Sequence, residues 1–192
     1  MKICVFGAAS KEIDDKYLEA VENLGAFLAE NGHDLVFGAG KTGNMGAVAR
    51  GFRKGGGKTH GVIPEFFRED VLTEYVDYNC DEMIYTNSMR ERKAVMEDIS
   101  DAFVITPGGC GTFEEFFEVL TLKQLGRHRK PIAIYNIDGY FDRMSEMMMH
   151  SISEGFIKKN CTALYRVFDS LDGMLAYLEN DDMEGLTLRD FK

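Results

Sequence analysis

Three short stretches of this sequence hold residue types at spacings that could do chemistry. The first is Pro107-Gly108-Gly109-Cys110-Gly111-Thr112, set between an apolar run, Asp101 to Thr106, and a helical pattern from Gly111 to Leu125. Proline stops a strand, and glycines leave no side chains in the way of the backbone. Backbone N–H groups and the positive end of the following helix then converge on one point, an arrangement that binds phosphate. The same residues support a second reading. Thr112-Phe113-Glu114-Glu115 fits a capping box, in which Glu115 reaches back to the helix start. On the residues alone both readings stand.

The second stretch is Met89-Arg90-Glu91-Arg92-Lys93. Helical spacing over Ser88 to Ile99 puts Met89, Arg92, Met96 and Ile99 on one face. Arg92 then sits in an otherwise apolar stripe, a costly place for a permanent charge unless it meets an anion. Lys93 is spaced i,i+4 from Glu97, which predicts a surface ion pair worth roughly 0.2–0.5 kcal/mol. Arg90 and Glu91 are expected in solvent.

The third stretch, Gly38-Ala39-Gly40-Lys41-Thr42-Gly43, matches G-x-G-x-x-G after an apolar run, and Glu65 stands near the acidic position of a dinucleotide fingerprint. That fingerprint belongs after the first strand of its unit, and here the first strand ends in Gly7-Ala8-Ala9-Ser10. A tight turn that lets a helix pack close to the sheet is the better-supported reading. Neither Gly40-Lys41-Thr42 nor Gly57-Lys58-Thr59 completes a P-loop, because Leu35 and Phe52 stand where its first glycine belongs.

These segments need a scaffold, and the chain alternates between two periods that supply one. Ile3 to Phe6, Asp34 to Phe37, Thr59 to Ile63, Asp101 to Thr106 and Pro131 to Tyr135 read as short buried strands. Between and after them, Tyr17 to Glu30, Met45 to Phe52, Ser88 to Ile99, Gly111 to Leu125, the Met-rich Tyr140 to Ser153, and Ser170 to Leu178 read as helices. Residues 65 to 82 have no period and many charges, which predicts a long ordered loop. The expected architecture is α/β: a single doubly wound domain over 1–180, with a mostly parallel sheet covered by helices on both faces and a polar C-terminal tail over 181–192. In such sheets ligands sit at the carboxyl ends of the strands, so the turns after Phe6, Phe37, Ile63 and Thr106 are the places to look.

Composition narrows the classes further. The 192 residues are 45% hydrophobic and 28% charged, with a net charge of −10, which fits an ordinary globular domain. No apolar run approaches the roughly 18 residues of a membrane span, and MKICVFGAAS reads as a first strand and not as a signal peptide. No cluster of basic residues offers a nucleic-acid track or an anionic membrane contact. Cys4, Cys80, Cys110 and Cys161 are scattered, with no zinc spacing, and read as reduced thiols of a cytoplasmic protein. His33, His60, His128 and His150 are not spaced as metal ligands, so neither a metal nor another cofactor is expected.

Taken together, the motifs resemble the Lonely Guy family of nucleoside 5′-monophosphate phosphoribohydrolases. The family signatures M-x-x-R-K and P-G-G-x-G-T-x-x-E read here as Met89 to Lys93 and Pro107 to Glu115, in the family's order and separation. Gly38 to Gly46, and Gln124-Leu125-Gly126 with Lys130-Pro131, resemble two further segments, and the likeness runs to about residue 180. The resemblance implies a Rossmann-like homodimer that hydrolyses the N-glycosidic bond of a purine ribotide, AMP or its N6-prenylated form, to free base and ribose 5-phosphate. Carried over by position, Arg92 and Glu115 are the catalytic pair, Glu115 being expected ionised in the first turn of its helix. Gly108, Gly109, Cys110, Gly111 and Thr112 meet phosphate and ribose, Lys93 adds positive charge, and Met89, Thr121 and Glu74 are further substrate contacts. Ala39 and Leu122 depart from the family pattern, which commonly has a glycine and an aromatic residue there. Proteins of this family have also been labelled lysine decarboxylases, but no lysine here stands in a recognisable Schiff-base setting. The rival readings are a nucleotide-binding or carrier protein without chemistry and a nicotinamide-dependent oxidoreductase using Gly38 to Gly43.

Overall fold

The computed structural model describes residues 1–68 and 70–180, so the expected tail over 181–192 lies outside the described residues. The five predicted strands form as β1 (Lys2–Phe6), β2 (Asp34–Phe37), β3 (Thr59–Pro64), β5 (Ala102–Ile105) and β6 (Ile132–Tyr135). Two more, β4 (Glu82–Thr86) and β7 (Arg166–Phe168), close the edges of the sheet. Both escaped the sequence reading because an edge strand in contact with solvent needs no apolar run. Glu82 and Tyr85 of β4, and Arg166 and Val167 of β7, are exposed. The predicted loop over 65 to 82 ends one residue earlier, where β4 begins, and holds two 3-10 turns, Glu65–Arg68 and Asp70–Tyr75.

All seven strands run parallel in the order β4-β3-β2-β1-β5-β6-β7. Among the described residues, the six α-helices are α1 (Asp15–Glu30), α2 (Gly43–Gly55), α3 (Met89–Ile99), α4 (Cys110–Gln124), α5 (Asp142–Ser153) and α6 (Leu171–Asn180). Side chains alternate across each strand, so β1 splits between the two layers. Cys4 and Phe6 pack with Met96, Phe116 and Met148 of α3, α4 and α5. Ile3 and Val5 pack with Leu24, Val48 and Met174 of α1, α2 and α6. The Met-rich helix divides likewise: Met144 and Met148 are buried one turn apart, while Met147 and Met149 are exposed. No helix among the described residues is long and apolar enough to cross a membrane.

From β1 the chain builds outward to β4 on one side, then returns to lay β5 against the other edge of β1. That reversal opens a crevice at the carboxyl ends of β1 and β5. On one side of it α1 and α2 approach closely because glycines meet at their crossing. A Cβ added to Gly51 would lie 2.1 Å from the Glu22 carbonyl oxygen, and one added to Gly25 would lie 2.4 Å from that of Val48. Both obstacles are helical backbone that cannot swing aside. Gly51→Ala should therefore destabilise the fold by about 1–3 kcal/mol despite alanine's better helix propensity. Urea unfolding checks this, and an unchanged midpoint would show that the helices separate at no cost.

Candidate active site

A cavity of about 420 Å³ lies at the reversal of strand order. Gly7, Ala8, Ala9 and Ser10 follow β1 into its wall, and Gly38, Ala39 and Gly40 follow β2. Ile63 of β3 and Met45 of α2 add an apolar side, which Phe67 and Tyr75 extend from the 65–75 segment. Met89 and Arg92 enter from the first turn of α3, and Gly109, Gly111, Thr112 and Glu115 from the start of α4. The amino ends of three helices thus meet around one space, and their dipoles make it locally positive in a protein of net charge −10.

The two readings of the Pro107 turn separate here. Helix α4 begins at Cys110 with Gly109 as N-cap and no side-chain cap, so Thr112 lies inside the helix and Glu115 does not reach back. The side-chain cap sits instead on α3, whose N-cap is Ser88. Ser88 Oγ accepts from the Glu91 N–H at 3.1 Å, and Glu91 Oε2 accepts from the Asn87 N–H at 2.7 Å. Glu91, expected in solvent, is thus a cap. Without a side-chain cap, the first N–H groups of α4 keep their capacity for an anion at the cavity. Their turn is held from behind. Asn44 Nδ2 donates to the Pro107 carbonyl at 2.7 Å, the Ala8 N–H to the same oxygen at 3.3 Å, and Tyr140 Oη to the Gly108 carbonyl at 2.7 Å.

Arg92 is only 6% exposed. Its Nε donates to the Val62 carbonyl at 3.0 Å, and an Nη1 lies 3.4 Å from Glu115 Oε1. The guanidinium lies over Gly38, where an added Cβ would come within 1.5 Å of Nη2. Glycine at 38 is therefore the space that Arg92 occupies. Glu115, expected in the first turn of its helix, is the sixth residue of α4 and lies beyond the strongest helix-end field. Burial is the dominant influence on its carboxyl and raises its pKa from the usual range to about 7, although Arg92 pulls it down. The expectation of a carboxylate ionised by the helix start is thus replaced by a carboxyl poised near neutrality.

Of the residues expected at the site, Arg92, Glu115, Met89, Gly109, Gly111 and Thr112 line this one cavity. The others lie outside its lining. Lys93 pairs with Glu114 and Glu118 of α4, and not with Glu97 as its spacing suggested. Gly108 sits under Thr112, and the Cys110 side chain is exposed. Glu74 is exposed and hydrogen-bonded to Tyr75, which itself reaches the cavity. Thr121 lies on a second groove, shared with Phe117, Gln124 and Phe156. None of the described residues lining the first cavity is a lysine.

The Gly38-to-Gly43 turn is braced by the protein's own groups. Arg92 covers Gly38, the Ala39 carbonyl accepts from the Asp77 N–H at 2.7 Å, and the Lys41 N–H donates to the Tyr75 carbonyl at 3.0 Å. Ala39, the departure from the family pattern, is fully buried with a left-handed φ of 54°. Leu122, the other departure, does not line the cavity. The turns after β1, β2 and β3 were readable as strand ends. Met45, Phe67 and Tyr75 were missed because no local pattern marks them: bonds from 75–77 to the β2 turn bring Phe67 and Tyr75 to the cavity, and the Met45 N–H bond to the Ala8 carbonyl holds the start of α2 there.

Comparison with known proteins places these features. A family model described as "Possible lysine decarboxylase" matches residues 45–178. The cytokinin riboside 5′-monophosphate phosphoribohydrolase LOG of Oryza sativa is 40% identical over 83% of this chain, which spans 64% of that protein's length. The cytokinin riboside 5′-monophosphate phosphoribohydrolase of Mycobacterium tuberculosis is 38% identical over 90% of both chains. Among solved structures, a molybdenum cofactor carrier protein from Chlamydomonas reinhardtii aligns with a TM-score of 0.68 at 22% identity, covering 93% of this chain and 95% of that one. At that identity the likeness shows the fold alone. On the family match and on the identity shared with the bacterial protein along nearly the whole of both chains, this chain belongs to the LOG family.

Proposed function

We propose that this protein hydrolyses the N-glycosidic bond of a purine nucleoside 5′-monophosphate, releasing free base and ribose 5-phosphate. The observation that carries this reading is the Arg92–Glu115 pair, buried in the same cavity as the α4 amino end that no side chain caps. The 5′-phosphate fits the N–H groups that follow Gly109, and the purine fits the apolar wall of Met45, Ile63, Phe67 and Tyr75. The ribose then lies between them, against Glu115. Cleavage at C1′ develops oxocarbenium character, which a carboxylate beside the sugar stabilises. That carboxylate orients the attacking water and takes its proton as the C1′–O bond forms. The purine leaves with the C1′–N electron pair and takes up that proton, restoring the carboxylate. A carboxyl with a pKa near 7 suits that proton transfer at neutral pH. Arg92, permanently protonated, serves as counter-charge and aligns the ribotide.

No described lysine lines the cavity to form a Schiff base, so the decarboxylase description finds no support in the site. We further propose that the protein is cytoplasmic, as its scattered thiols suggest, and forms the homodimer that the family resemblance implies. Sedimentation velocity should give twice the chain mass, and a monomer at micromolar concentration would remove the dimer from this reading.

Purified protein incubated with AMP and with isopentenyladenosine monophosphate should release free base and ribose 5-phosphate, resolved by chromatography. Glu115→Gln and Arg92→Ala should each lower the rate by roughly 100-fold or more while the protein stays folded. Tight nucleotide binding with no released base would instead identify a binding protein.

The pH dependence follows from Glu115. The carboxylate is the working form and its pKa is about 7, so kcat/KM should fall as the pH drops through that value and level off above it. A profile flat between pH 6 and 8 would show that ionised Glu115 is not required.

A further inference from the structure

Lys93 follows Arg92 in sequence and Glu114 precedes Glu115, yet this second pair turns away from the cavity. Successive helical residues point about 100° apart, so α3 can aim Arg92 inward and Lys93 at its neighbouring helix. The Lys93 ammonium meets the carboxylates of both Glu114 and Glu118, which lie one turn apart on the same face of α4. Its side chain is only 15% exposed, unlike that of a solvated surface pair. Arg92 and Glu115 are 3.4 Å apart, at the long end of hydrogen-bond range, so that contact does little to hold the two helices itself.

We propose that Lys93 is a positioning residue and not a substrate contact: by spanning Glu114 and Glu118 it pins the first half of α3 to α4, and so sets Arg92 against Glu115. The kinetic consequence rests on the hydrolase reading, whereas the structural one does not. The groups facing this junction are Glu97 on the next turn of α3, Glu114 and Glu118 on α4, and Lys130 from the segment before β6, which acts on Glu97. Around Glu115 itself stand Arg92, Lys93, Glu114 and, from β1, Cys4. Removing Lys93 leaves Glu114 and Glu118, and Glu97 beside Glu118, without the cation between them. Neutralising Glu114 and Glu118 as well removes that repulsion.

The test is therefore a rescue. Lys93→Met should lower kcat at least tenfold, leave KM for AMP within about twofold, and lower the melting temperature. Adding Glu114→Gln and Glu118→Gln to that variant should restore part of both kcat and the melting temperature, a non-additivity expected only of residues acting as one unit. A lysine that contacts the 5′-phosphate gives the opposite pattern: KM for AMP rises tenfold or more, and neutralising the glutamates restores nothing. That pattern, or a triple variant that melts below Lys93→Met, would overturn the proposal. Wild-type protein that releases no base from AMP or the prenylated ribotide fails the hydrolase reading alone, because the melting comparison still decides the clamp.

Discussion

Arg92 brings a charge that cannot be neutralised into a place where solvent barely reaches it. Burial of that kind is tolerated only when the charge is both paired and hydrogen-bonded. The surrounding structure meets the requirement from three directions: a strand carbonyl at Val62, a carboxyl at Glu115, and an open space over Gly38. Each comes from a different element, β3, α4 and the turn after β2. The arginine therefore stands where three walls of the cavity meet.

The sheet makes this convergence possible. Because the strand order reverses beside β1, the turns after β1 and β5 diverge and leave room between them. The helices that enter that room end differently. Helix α3 is capped by Ser88 and Glu91 and needs nothing further, whereas α4 begins on Gly109 without a side-chain cap. A stable cap on α4 would compete with a phosphate for the same N–H groups. The difference between the two helix starts thus separates a structural end from one that can take a ligand, within a protein whose overall charge repels anions.

Burial tunes the second member of the pair. Glu115 is held between desolvation, which favours its neutral form, and the nearby guanidinium, which favours the charged one, and the balance falls near neutrality. Opposing influences of this kind let one carboxyl exchange a proton with water at neutral pH. The same Arg92 that depends on Glu115 for its burial therefore restrains the carboxyl's pKa.

The sequence by itself determined the buried strands, the helices between them, the doubly wound class, and the identity of Arg92 as a charge in an apolar stripe. These are properties of period and side-chain type over a few neighbouring residues, and local physics suffices to read them. Tertiary structure alone decided the rest. Edge strands β4 and β7 pair without an apolar signature, and the cap expected at Thr112 did not form while an unexpected one formed at Ser88 and Glu91. Met45, Phe67 and Tyr75 came to the cavity through backbone bonds between segments distant in sequence. Lys93 chose partners on another helix over the glutamate one turn away on its own. Spacing fixes where a side chain points along its own element, whereas which group it meets, and how dry that meeting is, depends on how the elements pack against each other.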